Sequence, residues 1–145
     1  MNPLAAAALA AGELICEFND GYRKSLLAEI AGDTPRVELV LVYEALKEDS
    51  AEVLSSRRPG RRPVKVRAAG GQLHLIEQDG PSVRVTTLTG CTRTKLSEDG
   101  TEICTRFEAR HSWTFDTAAP LEPAAAAARL PSGAATGNCE PWKIE

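Results

Sequence analysis

Four cysteines, two histidines, a run of cations and a small cluster of carboxylates are the residues in this chain whose types and spacing bear on chemistry. The cysteines are Cys16, Cys91, Cys104 and Cys139, and no two stand in a Cys-x-x-Cys spacing. An even number reads as two disulfides in an exported protein and as buried thiols in a cytosolic one. Cys91 and Cys104 flank the turn at residues 97–100 almost symmetrically. The expected pairing is therefore Cys91–Cys104, with Cys16–Cys139 tying the chain ends together, although four cysteines admit three pairings. The pairing meets one obstacle. Cys104 lies on the polar face of its strand, whereas Cys91 has the parity of Val83 and Val85, which are expected to point inward. Opposed residues share a side, so the bridge calls for a bulge, and Gly90 is its natural place. A zinc site that includes His111 is the rival reading. The spacing Cys91-x12-Cys104-x6-His111 lacks the close ligand pairs of zinc sites. A redox protein with a labile Cys91–Cys104 bridge is a further alternative.

His111 shares a face with Phe107, Trp113 and Phe115. That grouping reads either as a core histidine bonded to the backbone or as a polar group in an apolar pocket that orients a ligand. His74, between Leu73 and Leu75 and on the opposite face, is expected to be exposed. Arg57, Arg58, Arg61, Arg62, Lys65 and Arg67 place six cations within residues 57–67. Removing them from the net charge of −3 leaves −9 on the remainder. Arginines on a projecting loop can hold carboxylate or phosphate in bidentate fashion. An acidic protein or anionic surface is the partner this implies, against the plainer reading of a solvated loop. Nucleic acid is disfavoured, because no aromatics interleave the cations and the body is acidic. The carboxylates Glu98, Asp99 and Glu102 crowd a turn and are expected to face water. No Gly-x-Ser-x-Gly, phosphate loop or His-Glu-x-x-His is present, so neither catalysis nor a cofactor is expected.

The elements that must position these groups read mainly as β. The stretch 101–116 alternates strictly, with Ile103, Phe107, Ala109, Trp113 and Phe115 on one face. One straight strand of that length would span roughly 50 Å, so it must bend around a barrel or break near Ala109. Residues 13–18 form a strand with Leu14, Cys16 and Phe18 on one face. Residues 36–46 are apolar on both faces at their middle, as in a covered strand. Residues 22–31 fit a helix or a hairpin return, residues 47–56 allow a helical turn, and RRPGRRP at 57–63 reads as irregular. Beyond it, short alternating runs are separated by turns at Gly70-Gly71, Asp79-Gly80-Pro81 and residues 97–100. This pattern predicts an antiparallel meander forming a small barrel or sandwich, with one or two short helices. A helix is expected at the AAAAARL run, residues 124–130, and the Cys139–Trp142 tail is expected to be pinned to the body. Residues 1–12 read as a signal-peptide remnant or disordered Ala-rich tail, and 13–145 as a single β-rich domain. No segment reaches the ~20 apolar residues of a membrane span.

The opening Cys16-x-x-x-Asp20-Gly21 and the Ser132-Gly133-Ala134 run before Trp142 resemble the small periplasmic lysozyme-inhibitor barrels of bacteria, over a short part of the chain. The resemblance implies a Ser-Gly loop that enters an enzyme cleft, here within residues 132–142, and deletion of residues 133–137 is expected to abolish inhibition while leaving the fold intact. The aromatic residue expected after the Ser-Gly pair is absent. Together these readings give an exported bacterial protein, periplasmic or secreted, that binds without catalysis. It would take a small apolar ligand at Phe107, His111, Trp113 and Phe115, or an acidic partner at the cationic segment. The alternatives are a hydrolase inhibitor and a thiol-redox or metal-binding protein.

Overall fold

A computed structural model describes residues 2–19, 37–56, 58–115 and 133–142. Eight strands follow one another in chain order: β1 (Leu14–Asn19), β2 (Val37–Glu44), β3 (Ser50–Ser55), β4 (Arg58–Ala69), β5 (Gln72–Asp79), β6 (Ser82–Leu96), β7 (Glu102–Phe115) and β8 (Gly133–Pro141). Each pairs antiparallel with the next, and β8 returns to β1, so the sheet closes into an up-and-down barrel. Closure leaves the sheet with no edge along the barrel wall. The turns that permit it fall where the backbone needs a positive φ, at Gly70 and Gly71 (59° and 76°) and at Gly80 (59°).

Alternation places Leu14, Cys16 and Phe18 inside on β1, opposite Tyr43, Leu41 and Leu39 on β2. Ala51 and Val53, then Val64 and Val66, then Leu73 and Leu75 continue the buried lining. Leu88, Phe107, Ala109, Ala135 and Cys139 complete it. Each large side chain fully buried here contributes about 1.5–3 kcal/mol. One end of the barrel is closed by a helix, α1 (Pro3–Ala11). The Asn2 side chain caps it by accepting from the Ala5 N–H at 2.6 Å, and Pro3 occupies the first turn, where a missing N–H costs nothing. Ala5 and Ala8 are buried, small enough to let the helix lie close on the core. Asn2 Nδ2 also donates to the Gln72 carbonyl, and Leu46 N–H donates to the Gly12 carbonyl, fixing both ends of α1 to the rim. Residues 2–12 are therefore an ordered part of the fold rather than a loose tail.

Several local expectations are corrected. Residues 50–55 form a strand, not a helical turn, because Ala51 and Val53 alternate into the core between β2 and β4. The 58–63 stretch is the start of β4 rather than irregular chain. Pro59 is tolerated because it falls with Gly60 in a register irregularity, where β4 advances from Arg58 to Arg62 while β3 moves only from Ser55 to Val53; Pro63 stands in regular register opposite Glu52. On β6 the inward residues are Ser82, Arg84, Thr86 and Leu88, not Val83 and Val85, as the pairing of Leu88 with Leu73 and Ala109 dictates. β7 runs unbroken past Ala109. Residues 133–137 are not dispensable to the fold, because they belong to β8, which closes the barrel, whereas the tail is pinned as expected, the Trp142 N–H donating to the Glu13 carbonyl. The helix or hairpin expected at 22–31 and the helix at 124–130 lie outside the described residues.

Two disulfides are formed, Cys16–Cys139 and Cys91–Cys104, and no described cysteine is free. Cys16 and Cys139 face each other directly across the β1–β8 seam, with Cα atoms 4.0 Å apart. Cys91 and Cys104 are not register partners, since Cys91 faces Phe107 and Cys104 faces Thr94. Thr89 is the extra residue beside Gly90, and further irregularities at Thr92 and Thr105 bring the two sulfurs to one side. Past this bridge β6 and β7 continue as a two-stranded arm, exposed throughout residues 91–96 and carrying Leu96 at 73% exposure.

Candidate functional site

The interior has two chemically different halves. Toward α1 it is apolar. At the other end β4, β5 and β6 each turn an ionised side chain inward. The Glu77 carboxylate is buried, with Arg62 Nε at 3.7 Å and Arg84 Nη1 at 3.9 Å. Glu77 and Arg84 are register partners, so strand pairing itself sets them face to face. A buried carboxylate is costly unless cations attend it, and two do so here. Trp113 stands opposite Arg84 on β7.

Below this cluster a chain of hydrogen bonds crosses the lumen. The Tyr43 hydroxyl lies 2.6 Å from Thr86 Oγ1, and Thr86 Oγ1 lies 3.0 Å from His111 Nδ1. Tyr43 is on β2 and Thr86 on β6, diametrically opposite strands of the closed order. The bond is thus a bar through the middle of the barrel. A hydroxyl has one proton and two lone pairs, so Thr86 can accept from Tyr43 while donating to His111, or the reverse. Burial pushes the Tyr43 hydroxyl's pKa up, the Thr86 bond opposes that shift, and the Glu77 charge adds to it. The His111 ring packs 5.3 Å from Phe18 and 6.0 Å from Trp113, measured between centroids. Ser55, Arg62, Glu77, Arg84, His111 and Trp113 each have partners beyond those named here.

The ligand residues expected from sequence are separated by depth. His111 and Trp113 flank the bar and face the polar end, whereas Phe107 is wholly buried beside Cys139 in the closed half. Phe115 ends β7, and its side chain is outside the described residues. The cationic segment does not form one patch. Arg62 points into the barrel. Arg61 lies outside, 3.0 Å from Glu44 and 3.9 Å from Glu52, while Lys65 and Arg67 are exposed on the outer face. Arg57 and the Arg58 side chain are outside the described residues. His74 is half-buried and bonded to the Thr87 hydroxyl at 3.0 Å. Among the described residues no cluster of three His, Cys, Asp or Glu could hold a metal ion.

Glu77, Arg84, Thr86 and Tyr43 were not singled out by sequence reasoning. Parity held a signal for two of the interior charges: Glu77 shares the face of Leu73 and Leu75, and Arg62 that of Val64 and Val66.

Fold and bridges define a class, a small disulfide-bonded eight-stranded β-barrel. The two disulfides point to an oxidising, extracytoplasmic compartment. Among the described residues no helix is long and apolar enough to cross a membrane. No protein-family model, curated protein or solved structure matches the chain.

Proposed function

We propose that this protein is a non-enzymatic binding barrel, periplasmic or secreted, that admits a small ligand at the end opposite α1. The observation that carries the reading is the pairing of a plugged apolar half with a polar half built on six inward side chains: Tyr43, Arg62, Glu77, Arg84, Thr86 and His111. A barrel packed solely for stability gains little from buried ion pairs, which often do no better than apolar residues of the same volume. A ligand would rest on the Tyr43–Thr86–His111 bar, with Phe18, Leu39 and Trp113 beside it. The acidic-partner reading has weaker support, because β4 divides its cations between the two faces.

The two tryptophans make the test specific. Trp113 is at the polar end, and Trp142 is pinned to Glu13 at the other. In a Trp142→Phe variant, N-phenyl-1-naphthylamine, a neutral apolar probe, should quench Trp113 emission saturably and be insensitive to salt. Unchanged emission with no probe enhancement would overturn the reading.

A further inference from the structure

We propose that two copies of this protein associate through their β6–β7 arms, which lie antiparallel and edge to edge along β6, the cations of each against the tip carboxylates of the other. The contact lies outside the lumen and does not depend on the ligand reading.

The arm is where the sheet still has an edge. Pairing of β5 with β6 ends at Leu88, and pairing of β7 with β8 ends at Phe107. Beyond these points, among the described residues, β6 and β7 pair only with each other. A two-stranded ribbon is marginally stable on its own. This one is fastened by the Cys91–Cys104 bridge. Its tip is held by the Ser97 N–H on the Thr101 carbonyl at 2.8 Å and the Thr101 N–H on Asp99 Oδ1 at 3.0 Å. An unpaired edge is a template for a further strand, and a preformed one has little ordering left to oppose the pairing.

Charge order names the occupant. From base to tip, β6 carries Arg93, Lys95 and then Leu96, and the turn adds Glu98 and Asp99. A segment that is cationic at one end and acidic at the other complements its own reverse. Opposed residues of an antiparallel pair share a side of the sheet, so the two-fold axis must pass between one residue and its own copy. Set at Leu96, the axis brings two Leu96 side chains together. It also sets Arg93 opposite Asp99 of the second copy, and Lys95 opposite Ser97, next to Glu98. Centring on Lys95 would instead oppose two ammonium groups. Leu96 is the more exposed of the two exposed large apolar side chains among the described residues, at 73%; the other, Ile103, is also on the arm. The register partner of Arg93 is Arg106, which has Glu140 at 3.9 Å. Like charges directly opposed weaken a strand pair, and a carboxylate from a second copy offsets that repulsion. Among the described residues no ion pair engages Arg93, Lys95 or Glu98. An anionic membrane fits less well, because Glu98 and Asp99 at the tip would meet it first. The contact falls short of the roughly 20–30 residues a side of a stable interface, so the dimer is weak and transient.

The test is sedimentation equilibrium of the full, disulfide-intact chain at high-micromolar concentration. The parent should show a monomer–dimer equilibrium that weakens as salt rises. Two variants alter the charges of the arm: Arg93→Glu with Lys95→Glu, and Glu98→Lys with Asp99→Asn. Asparagine keeps the acceptor that holds the turn. Each variant alone opposes like charges, so its association should be weaker by about tenfold or more. An equimolar mixture of the two has attraction at both halves of the contact and should associate about as tightly as the parent. Recovery in the mixture separates recognition from loss of fold, which mixing does not repair. A parent that is monomeric throughout overturns the proposal. So does a dimer that neither variant weakens, or a mixture that stays monomeric. A monomeric parent that sediments with phosphatidylglycerol vesicles assigns the arm to an anionic surface and overturns self-pairing.

Discussion

Replacing Thr86 by valine tests the bar across the lumen. Valine matches threonine in volume, so the change opens no cavity and isolates the hydroxyl. That hydroxyl is fully buried and links two groups on different strands, at 2.6 Å and 3.0 Å. Each buried polar group deprived of its bond costs about 1–3 kcal/mol, giving ~2–6 kcal/mol for the pair. With an unfolding entropy of about 2.1 cal/mol/K per residue over 145 residues, the melting temperature should fall by roughly 7–20 °C. Tyr43→Phe removes only one bond and leaves Thr86 its His111 partner, so it should cost about 1 kcal/mol. The double variant is decisive. Once Tyr43 has lost its hydroxyl, Thr86→Val no longer strands it, and the pair should be less destabilised than the two single costs combined. Urea denaturation followed by circular dichroism measures all three. A Thr86→Val protein within 0.5 kcal/mol of the parent, taking that as about the scale of ordinary surface substitutions, would refute the bar. Strict additivity in the double variant would do the same.

Other expectations follow from the seam, the bridges and the arm. A Cβ on Gly137 would stand 1.9 Å from the Glu17 carbonyl oxygen and 2.8 Å from the Phe18 ring. Gly137→Ala should therefore push β1 from β8 and cost about 3 kcal/mol or more; a neutral effect on the denaturation midpoint would contradict this packing. Cys91 is exposed, whereas Cys16 and Cys139 are wholly buried, so limited glutathione should open Cys91–Cys104 first, as read by alkylation and mass. On loop length alone, over separations of 123 and 13 residues, loss of Cys16–Cys139 should cost about 5 kcal/mol and loss of Cys91–Cys104 about 3. At the tip of the arm, Asp99 accepts from the Ser97 hydroxyl and from the Thr101 N–H, which lowers its pKa to about 2. The turn order this supports is complete above the unfolded value of about 3.9 and lost as pH falls through about 2. An NMR titration of Asp99 should show that low midpoint, and Ser97→Ala should move it up toward 3.8.

The strands were legible wherever alternation was clean. Leu14, Cys16 and Phe18, Val64 and Val66, and Leu73 and Leu75 all face inward as their spacing indicates. The disulfide pairing was legible too, because Cys91 and Cys104 bracket one turn and the other two cysteines stand near the chain ends. β6 misled because Val83 and Val85 are its most apolar residues, yet Arg84 faces inward to meet Glu77. That preference is a tertiary one and leaves no trace in the local pattern. The bar was illegible for a related reason. Tyr43 and Thr86 are 43 residues apart and become neighbours only when the sheet closes on itself. α1 was hidden by its composition, since an alanine run reads as a tail until a surface exists for Ala5 and Ala8 to pack on.

The Cys16–Cys139 bridge has a mechanical consequence. It turns residues 16–139 into a covalent ring that contains nearly the whole barrel. Tension applied on the chain before Cys16 and after Cys139 passes through a single sulfur–sulfur bond and does not load the strand ladders inside the ring. Stretched this way, the protein would yield α1, the first two residues of β1 and the last residues of β8 and then stop, with the ring itself undeformed. With that bridge reduced, the same pull would shear β1 from β8 and unroll the sheet.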